Sequence, residues 1–327
     1  MSQSSSASTP GWARRSKPRR ASSTRTCAAA PSPPLSTSTP PAKAAVIESA
    51  NAMQEQAIAW RHAGDDIGVV PTMGALHAGH DSLVTRARSE NQRVIVTIFV
   101  NPAQFGPNED FERYPRPFDQ DRARLEALGV DAIFHPPVDQ IYPPAFKTRV
   151  DPGPLADVLE GKSRPGHFAG VLTVVLKLFN LTQPKRAYFG QKDFQQVVLV
   201  RQLVRDFGLP VRIVAVPTVR HPDGLAMSSR NVYLDPGQRQ LAPTLQQALT
   251  EAARAFTAGE TDPLRLEGLA RGRLAAAQGL AVDYVALVDG ATLSRPERAI
   301  PGSVLAVAVK LGSIRLIDNV VLGAERL

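Results

Sequence analysis

Two histidines three residues apart, in the segment PTMGALHAGH (71–80), are the first residues of this chain whose types and spacing suggest chemistry. The segment follows a short apolar run and opens a helical pattern, so backbone N–H groups and the helix dipole favour an anion there. Residues three apart share a helix face, which lets His77 and His80 reach one polyphosphate, while Gly79 permits close backbone approach. Gly74 and Gly79 have the spacing of a P-loop, but His80 and Asp81 stand where Lys and Ser or Thr are required, which excludes one. Gly161-Lys162-Ser163 fails as well, with Ala156 at the first glycine position. The bland alternative is a pair of surface or capping histidines. A zinc pair lacks a nearby Cys or further His to complete a tetrahedral site.

Three other segments carry polar groups of the same kind. In DGLAMSSRN (223–231), two hydroxyls and the Arg230 guanidinium suit clamping and then releasing phosphates, although such a stretch is also an ordinary solvated turn. No Gly-x-Ser-x-Gly elbow supports a serine hydrolase. In FGQKDFQQ (189–196), Lys192 is a point charge for phosphate at a strand end, or a surface lysine beside the helix cap Asp193. In FVNPAQFG (99–106), Asn101 and Gln104 offer neutral donors and acceptors suited to a small hydroxy acid, or Asn-Pro simply begins a loop. Three of the four segments start at the C-terminal end of a predicted strand, where one crevice can collect them.

The elements that must position these residues follow from hydrophobic period. Apolar, β-branched runs predict parallel strands at 67–71, 94–100, 131–134, 186–189 and 211–216. Helical spacing predicts helices at 79–91, 119–128, 170–181 and 193–207. Repeated βα units imply an α/β fold, a Rossmann-like doubly wound parallel sheet. Beyond Pro217 the pattern becomes two helices (236–258 and 263–278) followed by strands at 282–288, 304–310 and 314–318, a smaller C-terminal α+β domain. The expected organisation is a tail at 1–43, a Rossmann-like domain at 44–217 and a smaller C-terminal domain at 218–327.

Charge and composition exclude other classes. The net charge of +8 invites a nucleic-acid reading, yet seven of the positive charges lie in residues 1–43, which hold no Asp or Glu. The rest of the chain is nearly neutral, so no basic face for nucleic acid is expected. The Ser-, Pro-, Ala- and Arg-rich tail cannot bury enough apolar surface to order itself; it reads as an over-long start, or as a transit peptide. No apolar run approaches the roughly 20 residues that cross a bilayer, and Cys27, the single cysteine, has no disulfide partner in the chain.

With IFVNPAQFG (98–106), YPR (114–116), RPGHFAGVLTVVLKLFN (164–180), YFGQKDFQQ (188–196) and a weaker RLIDN (315–319), these segments closely resemble the pantothenate synthetase (pantoate–β-alanine ligase) family, within the HxGH nucleotidylyltransferase superfamily. The resemblance covers residues 44–327. It implies that pantoate attacks the α-phosphorus of Mg–ATP, and that β-alanine then attacks the pantoyl adenylate. It implies an ATP site at Met73, Gly74, Ala75, Leu76, His77, Ala78, Gly79, His80, Gly190, Gln191, Lys192, Asp193, Val219, Met227, Ser228, Ser229 and Arg230. His80 is the implied proton donor and His77 a phosphate contact, with Lys192 and Arg230 also catalytic. Gln104 and Gln196 would hold pantoate, and Gln104 would also meet β-alanine. Mg²⁺ would enter with ATP, with no metal bound by the protein itself, in a cytoplasmic homodimer. The segment 105–117 is the candidate for a loop that closes over the adenylate. Two positions depart from the family: Gln191 replaces the usual Glu, and Asp81 replaces an apolar residue. Another HxGH adenylyltransferase with a different acceptor is the alternative, although it has no need of Gln104 and Gln196.

Overall fold

Alternation of apolar side chains along short strands builds the main sheet. The computed structural model describes residues 43–107 and 109–324; apart from Lys43, the basic tail lies outside them. Strands β1 (Ala45–Ile47), β2 (Ile67–Thr72), β3 (Arg93–Ile98), β4 (Ala132–Phe134), β5 (Arg186–Gly190) and β6 (Arg212–Val216) form one sheet, ordered β1-β4-β3-β2-β5-β6. All its pairings are parallel. Connecting them are α1 (Ala50–His62), α2 (Ala78–Glu90), α3 (Phe118–Ala127), α4 (Val138–Ile141), α5 (Leu159–Ser163), α6 (His167–Thr182) and α7 (Phe194–Asp206).

Successive strand residues point to opposite faces, and here both faces are apolar. Val69, Ile95, Phe134 and Ala187 pack with Met53 of α1, Phe168 and Leu172 of α6, and Leu199 of α7. Val70, Val94, Val96, Ile133, Tyr188 and Val214 pack on the other face with Leu83 and Val84 of α2 and Leu125 of α3. The sheet is therefore doubly wound. The chain leaves β2 for β3 on one side, while β5 pairs on the other. At such a reversal the loops beyond neighbouring strand ends diverge and open a crevice. The loop after β2 carries the two histidines, and the turn after β5 carries Lys192.

After β6 come α8 (Pro236–Leu241), α9 (Thr244–Thr257) and α10 (Pro263–Ala275), then the antiparallel sheet β7 (Leu280–Val288), β8 (Val304–Leu311) and β9 (Ile314–Val321). Leu245, Leu249, Leu266 and Leu274 of the helices bury against Leu287, Leu305, Val307 and Leu316 of these strands. The described residues all fall within one compact unit. Among them no helix is long and apolar enough to cross a membrane.

Several expected bounds need correction. The helix predicted over 236–258 is two helices, because Pro243 cannot donate to the ladder and its ring clashes with the preceding turn. The strand predicted over 94–100 ends at Ile98, and the helix predicted over 263–278 ends at Ala275. The helix predicted over 170–181 starts earlier, at His167, where Gly166 takes φ +81° just after Pro165. Neither β1 nor α1 was anticipated.

Candidate active site

The loop after β2 is shaped before either histidine is reached. Thr72 Oγ1 donates to the Thr97 carbonyl (2.6 Å) and accepts from Gly74 N–H (3.2 Å). Gly74 then takes φ +83°, where a Cβ would lie 3.0 Å from the Asp121 carboxylate. Asp121, only 3% exposed, reaches back from α3 and accepts from the Ala75 and Leu76 N–H groups, both at 2.8 Å. Burial raises its pKa against the effect of those two donors. This carboxylate was not singled out from sequence. It lies 45 residues from the loop it holds.

His77 and His80 do cap α2, which was the bland expectation, but capping uses only one nitrogen of each ring. His77 Nδ1 accepts from Gly79 N–H (3.1 Å), and His80 Nδ1 accepts from His77 N–H (3.2 Å). An accepting Nδ1 places the proton on Nε2, so each ring is a neutral Nε2–H donor. The ring centroids are 4.1 Å apart. A Cβ on Gly79 would sit 2.8 Å from the His77 ring, so the glycine is required by the folded-back imidazole itself. Burial, then the Lys192 charge, lowers the His77 pKa to about 4. Burial, then the His77 ring, lowers that of His80 to about 3. Asp81 is bound by Arg124 of α3 through two contacts of 2.6 Å, which answers its departure from the family pattern.

These neutral rings make stability depend on pH in a stated direction. Between about pH 6.5, where an unfolded histidine titrates, and pH 4, the unfolded chain binds more protons, so stability falls as pH falls. Urea unfolding at about pH 6.5 and about pH 5 should show His80 contributing up to about 2 kcal/mol of the loss. His80→Asn, which keeps an acceptor for the His77 N–H, should flatten the profile; an unchanged slope would refute burial of a neutral His80.

Beyond β5, residues 191–193 form a single 3₁₀ turn. Asn319 Nδ2 holds it by donating to the Gln191 and Lys192 carbonyls at 3.0 and 2.9 Å. The Lys192 ammonium lies 3.8 Å from the Asp193 carboxylate, and its charge acts on both histidine rings. The two adjacent glutamines divide their roles. Gln195 is buried, accepting from Glu160 N–H and donating to the Leu155 and Val158 carbonyls, whereas Gln196 lines the cavity.

Asn101 is not available to a ligand in the way its sequence context suggested. It is 1% exposed. Its Oδ1 accepts from Ala103 N–H and from the Tyr142 hydroxyl, while its Nδ2 donates to Gln104 Oε1 (3.0 Å) and the Gly170 carbonyl (3.2 Å). Asn101 therefore aims Gln104, whose Nε2 lies 3.1 Å from Met73 Sδ. His167 Nδ1 fixes the same loop by donating to the Gln104 carbonyl at 2.8 Å.

The segment 105–117 lies against the 227–230 loop. Glu109 forks onto Arg164 (2.7 and 2.6 Å), and Asp110 forks onto Arg230 (both 2.9 Å). The Tyr114 and Ser229 hydroxyls are 3.1 Å apart. Met227 N–H donates to the Val219 carbonyl, and Ser228 Oγ accepts from Arg230 N–H. Arg230, expected as an anion clamp, is thus neutralised by a carboxylate of this chain. An anion seeking the same edge of the guanidinium competes with Asp110, whose fork takes Nε and Nη2 and leaves Nη1 without a partner among the described residues. Asp110→Asn should therefore lower the KM for ATP several-fold by weakening the competitor. Steady-state titration with ATP checks this, and an unchanged or raised KM would mean that Asp110 stays in place during turnover.

A cavity of about 770 Å³ collects Lys192, Asp193, Gln196, Ser228 and Arg230 with Glu109, Asp110, Arg164 and residues of β7 to β9. The segment 73–80 and Gln104 do not line this cavity. Gly79 lies near Met227, the neighbour in sequence of the cavity-lining Ser228: an added Cβ would lie 3.9 Å from the methionine Cβ. Sequence reasoning missed Asp121 and Glu160, single carboxylates without a local pattern, and named the segment 105–117 without its ion-pairing residues Glu109 and Asp110.

Comparison with known proteins agrees with this geometry. The family model described as Pantoate-beta-alanine ligase matches residues 45–321. A pantothenate synthetase from Thermotoga neapolitana is 50% identical over 278 residues, covering 85% of this chain and 99% of the relative. One from Chloroflexus aurantiacus is 54% identical over 266 residues, covering 81% and 95%. Among solved structures, a pantothenate synthetase from Thermus thermophilus superposes with TM-score 0.81 at 45% identity, covering 85% of this chain and 99% of its own. The pantoate–β-alanine ligase from Francisella tularensis, complexed with β-γ ATP and β-alanine, does so with TM-score 0.69 at 37% identity, covering 86% and 98%. Two capped imidazoles beside a lysine at the reversal of a doubly wound sheet, and relatives matched over nearly their whole length, lead to one conclusion: the chain belongs to the pantoate–β-alanine ligase family.

Proposed function

We propose that this ATP-dependent ligase joins pantoate to β-alanine through a pantoyl adenylate formed where the loops after β2 and β5 diverge. A pantoate carboxylate oxygen attacks the α-phosphorus of Mg–ATP, and the bond to the β-phosphate oxygen breaks as pyrophosphate leaves. The β-alanine amine then attacks the activated carbonyl, loses a proton and expels AMP. Met73 to His80, Gly190 to Asp193, Val219 and Met227 to Arg230 surround ATP. Gln104 and Gln196 hold pantoate, with Gln104 also meeting β-alanine. Mg²⁺ arrives with the nucleotide.

The observation that carries this reading is the pair of neutral Nε2–H donors within the field of Lys192. Charge develops on phosphate oxygens during adenylation, and fixed donors with a nearby cation stabilise it without reorganisation. His80 acts as a neutral hydrogen-bond donor in this scheme, because its buried ring holds no second proton at neutral pH. The proposal also takes residues 44–217 as the ATP- and pantoate-binding part and 218–327 as a lid, in a cytoplasmic homodimer, following the family resemblance.

Pyrophosphate release from Mg–ATP tests the route. With pantoate alone, one equivalent of pyrophosphate per site should appear quickly and then only slowly. Adding β-alanine should start steady turnover with AMP. Release that ignores pantoate, or that needs both substrates from the first turnover, would rule out the free adenylate.

A further inference from the structure

The RLIDN motif of β9 has no role in the reaction scheme, yet its polar residues reach separate segments around the cavity. Arg315 meets Glu160 of α5 and Asp283 of β7. Asp318, 3% exposed, takes the fork of Arg220 on both carboxylate oxygens. Arg220 also donates to the Gly224 carbonyl (3.2 Å) and pairs through its backbone with Ala226, so it braces the tight hairpin that leads into Met227–Arg230. Asn319, also 3% exposed, spends both amide hydrogens on the Gln191 and Lys192 carbonyls. Its Oδ1 has no partner among the described residues. The two carbonyls alone set the amide's orientation, because a flip would turn oxygen against oxygen.

We propose that Asp318 and Asn319 are positioning residues for adenylation, holding at a set spacing the two loops that bring positive charge to ATP. Adjacent residues of one strand point to opposite sides. One strand can therefore grip the turn carrying Lys192 with Asn319 and the hairpin leading to Arg230 with Asp318. Because β9 is a paired strand in a sheet, it is a stiffer reference than either loop. The inference rests on the placement of Lys192 and Arg230 against ATP phosphates.

The test is a double-mutant cycle on the full chain, read as binding of the Mg²⁺ complex of adenosine 5′-(β,γ-imido)triphosphate. Asn319→Ala should weaken binding about tenfold, and the same change in a Lys192→Ala background should add almost nothing, since an absent ammonium cannot be misplaced. Asp318→Asn should behave in the same way toward Arg230→Ala. Binding of pantoate should be unchanged in all of them. Asn319→Ser, which keeps one donor, should restore part of the loss and serves if the alanine variant does not fold. Equal losses in both backgrounds, or unaltered nucleotide binding in a folded Asn319→Ala, would overturn the positioning role. If Lys192→Ala itself binds normally, the placement of Lys192 fails instead.

Discussion

Lys192→Ala should slow pantoate-dependent pyrophosphate release about 10²–10³-fold while the protein stays folded, the loss typical of removing one preorganised stabilising group. The ammonium is one of two cations, with Arg124, that act on both histidine rings, and its turn is held by Asn319 rather than by the lysine side chain. Its only ion-pair partner among the described residues is Asp193 at 3.8 Å, long for a direct contact, so little of the fold depends on it. Single-turnover release at saturating Mg–ATP, with the unfolding midpoint measured alongside, separates chemistry from stability. Lys192→Arg should recover little, since a planar fork cannot replace a compact point charge in a confined site. A fully active, folded Lys192→Ala would remove Lys192 from the phosphate site.

Glu160→Ala should instead leave its main mark on stability, lowering it by about 3 kcal/mol. Glu160 is 7% exposed and accepts from both terminal nitrogens of Arg315 and from the Tyr284 hydroxyl (2.8 Å). Removing it leaves a mostly buried guanidinium with Asp283 as its remaining carboxylate partner. Burial, the first cause of the raised Tyr284 pKa, persists in the variant, so the phenol does not ionise to compensate. At about 2.1 cal/mol/K of unfolding entropy per residue, the loss corresponds to about 5 °C in the melting temperature of a chain this long. Glu160→Gln, which keeps acceptor and shape, should cost less. If Glu160→Ala melts within about 2 °C of the parent, the cluster behaves as a solvated surface network.

Much of this site was legible because its chemistry sits in short segments whose positions repeat a rule. The apolar runs at β2, β3 and β5 announce strands, and in a doubly wound sheet the residues just past strand ends face the crevice. That rule singles out His77, His80, Gln104 and Lys192, whereas Gln196 is implied only by the family resemblance. What escaped had no such rule. Helix α1 buries only Met53 and Ala57 among its thirteen residues, too weak a stripe to stand out from its Gln, Glu and Ala neighbours. Pro243 was visible in the sequence, and reading it as a break would have divided 236–258 correctly.

By itself, the sequence determined the alternating strand–helix pattern, the exclusion of a P-loop, and the residue types able to meet a polyphosphate and a small hydroxy acid. These are properties of composition and of spacings within about ten residues, where backbone geometry alone decides what shares a face. Tertiary structure decided which nitrogen of each histidine is left to donate, that Asn101 is spent on aiming Gln104, and that Asp81 turns to Arg124. It also decided that Asp110 sits on Arg230 and that Asn319 grips the Lys192 turn, contacts spanning 120 and 127 residues. Hydrogen bonds and ion pairs of that span depend on strand order and loop path, which no local period encodes.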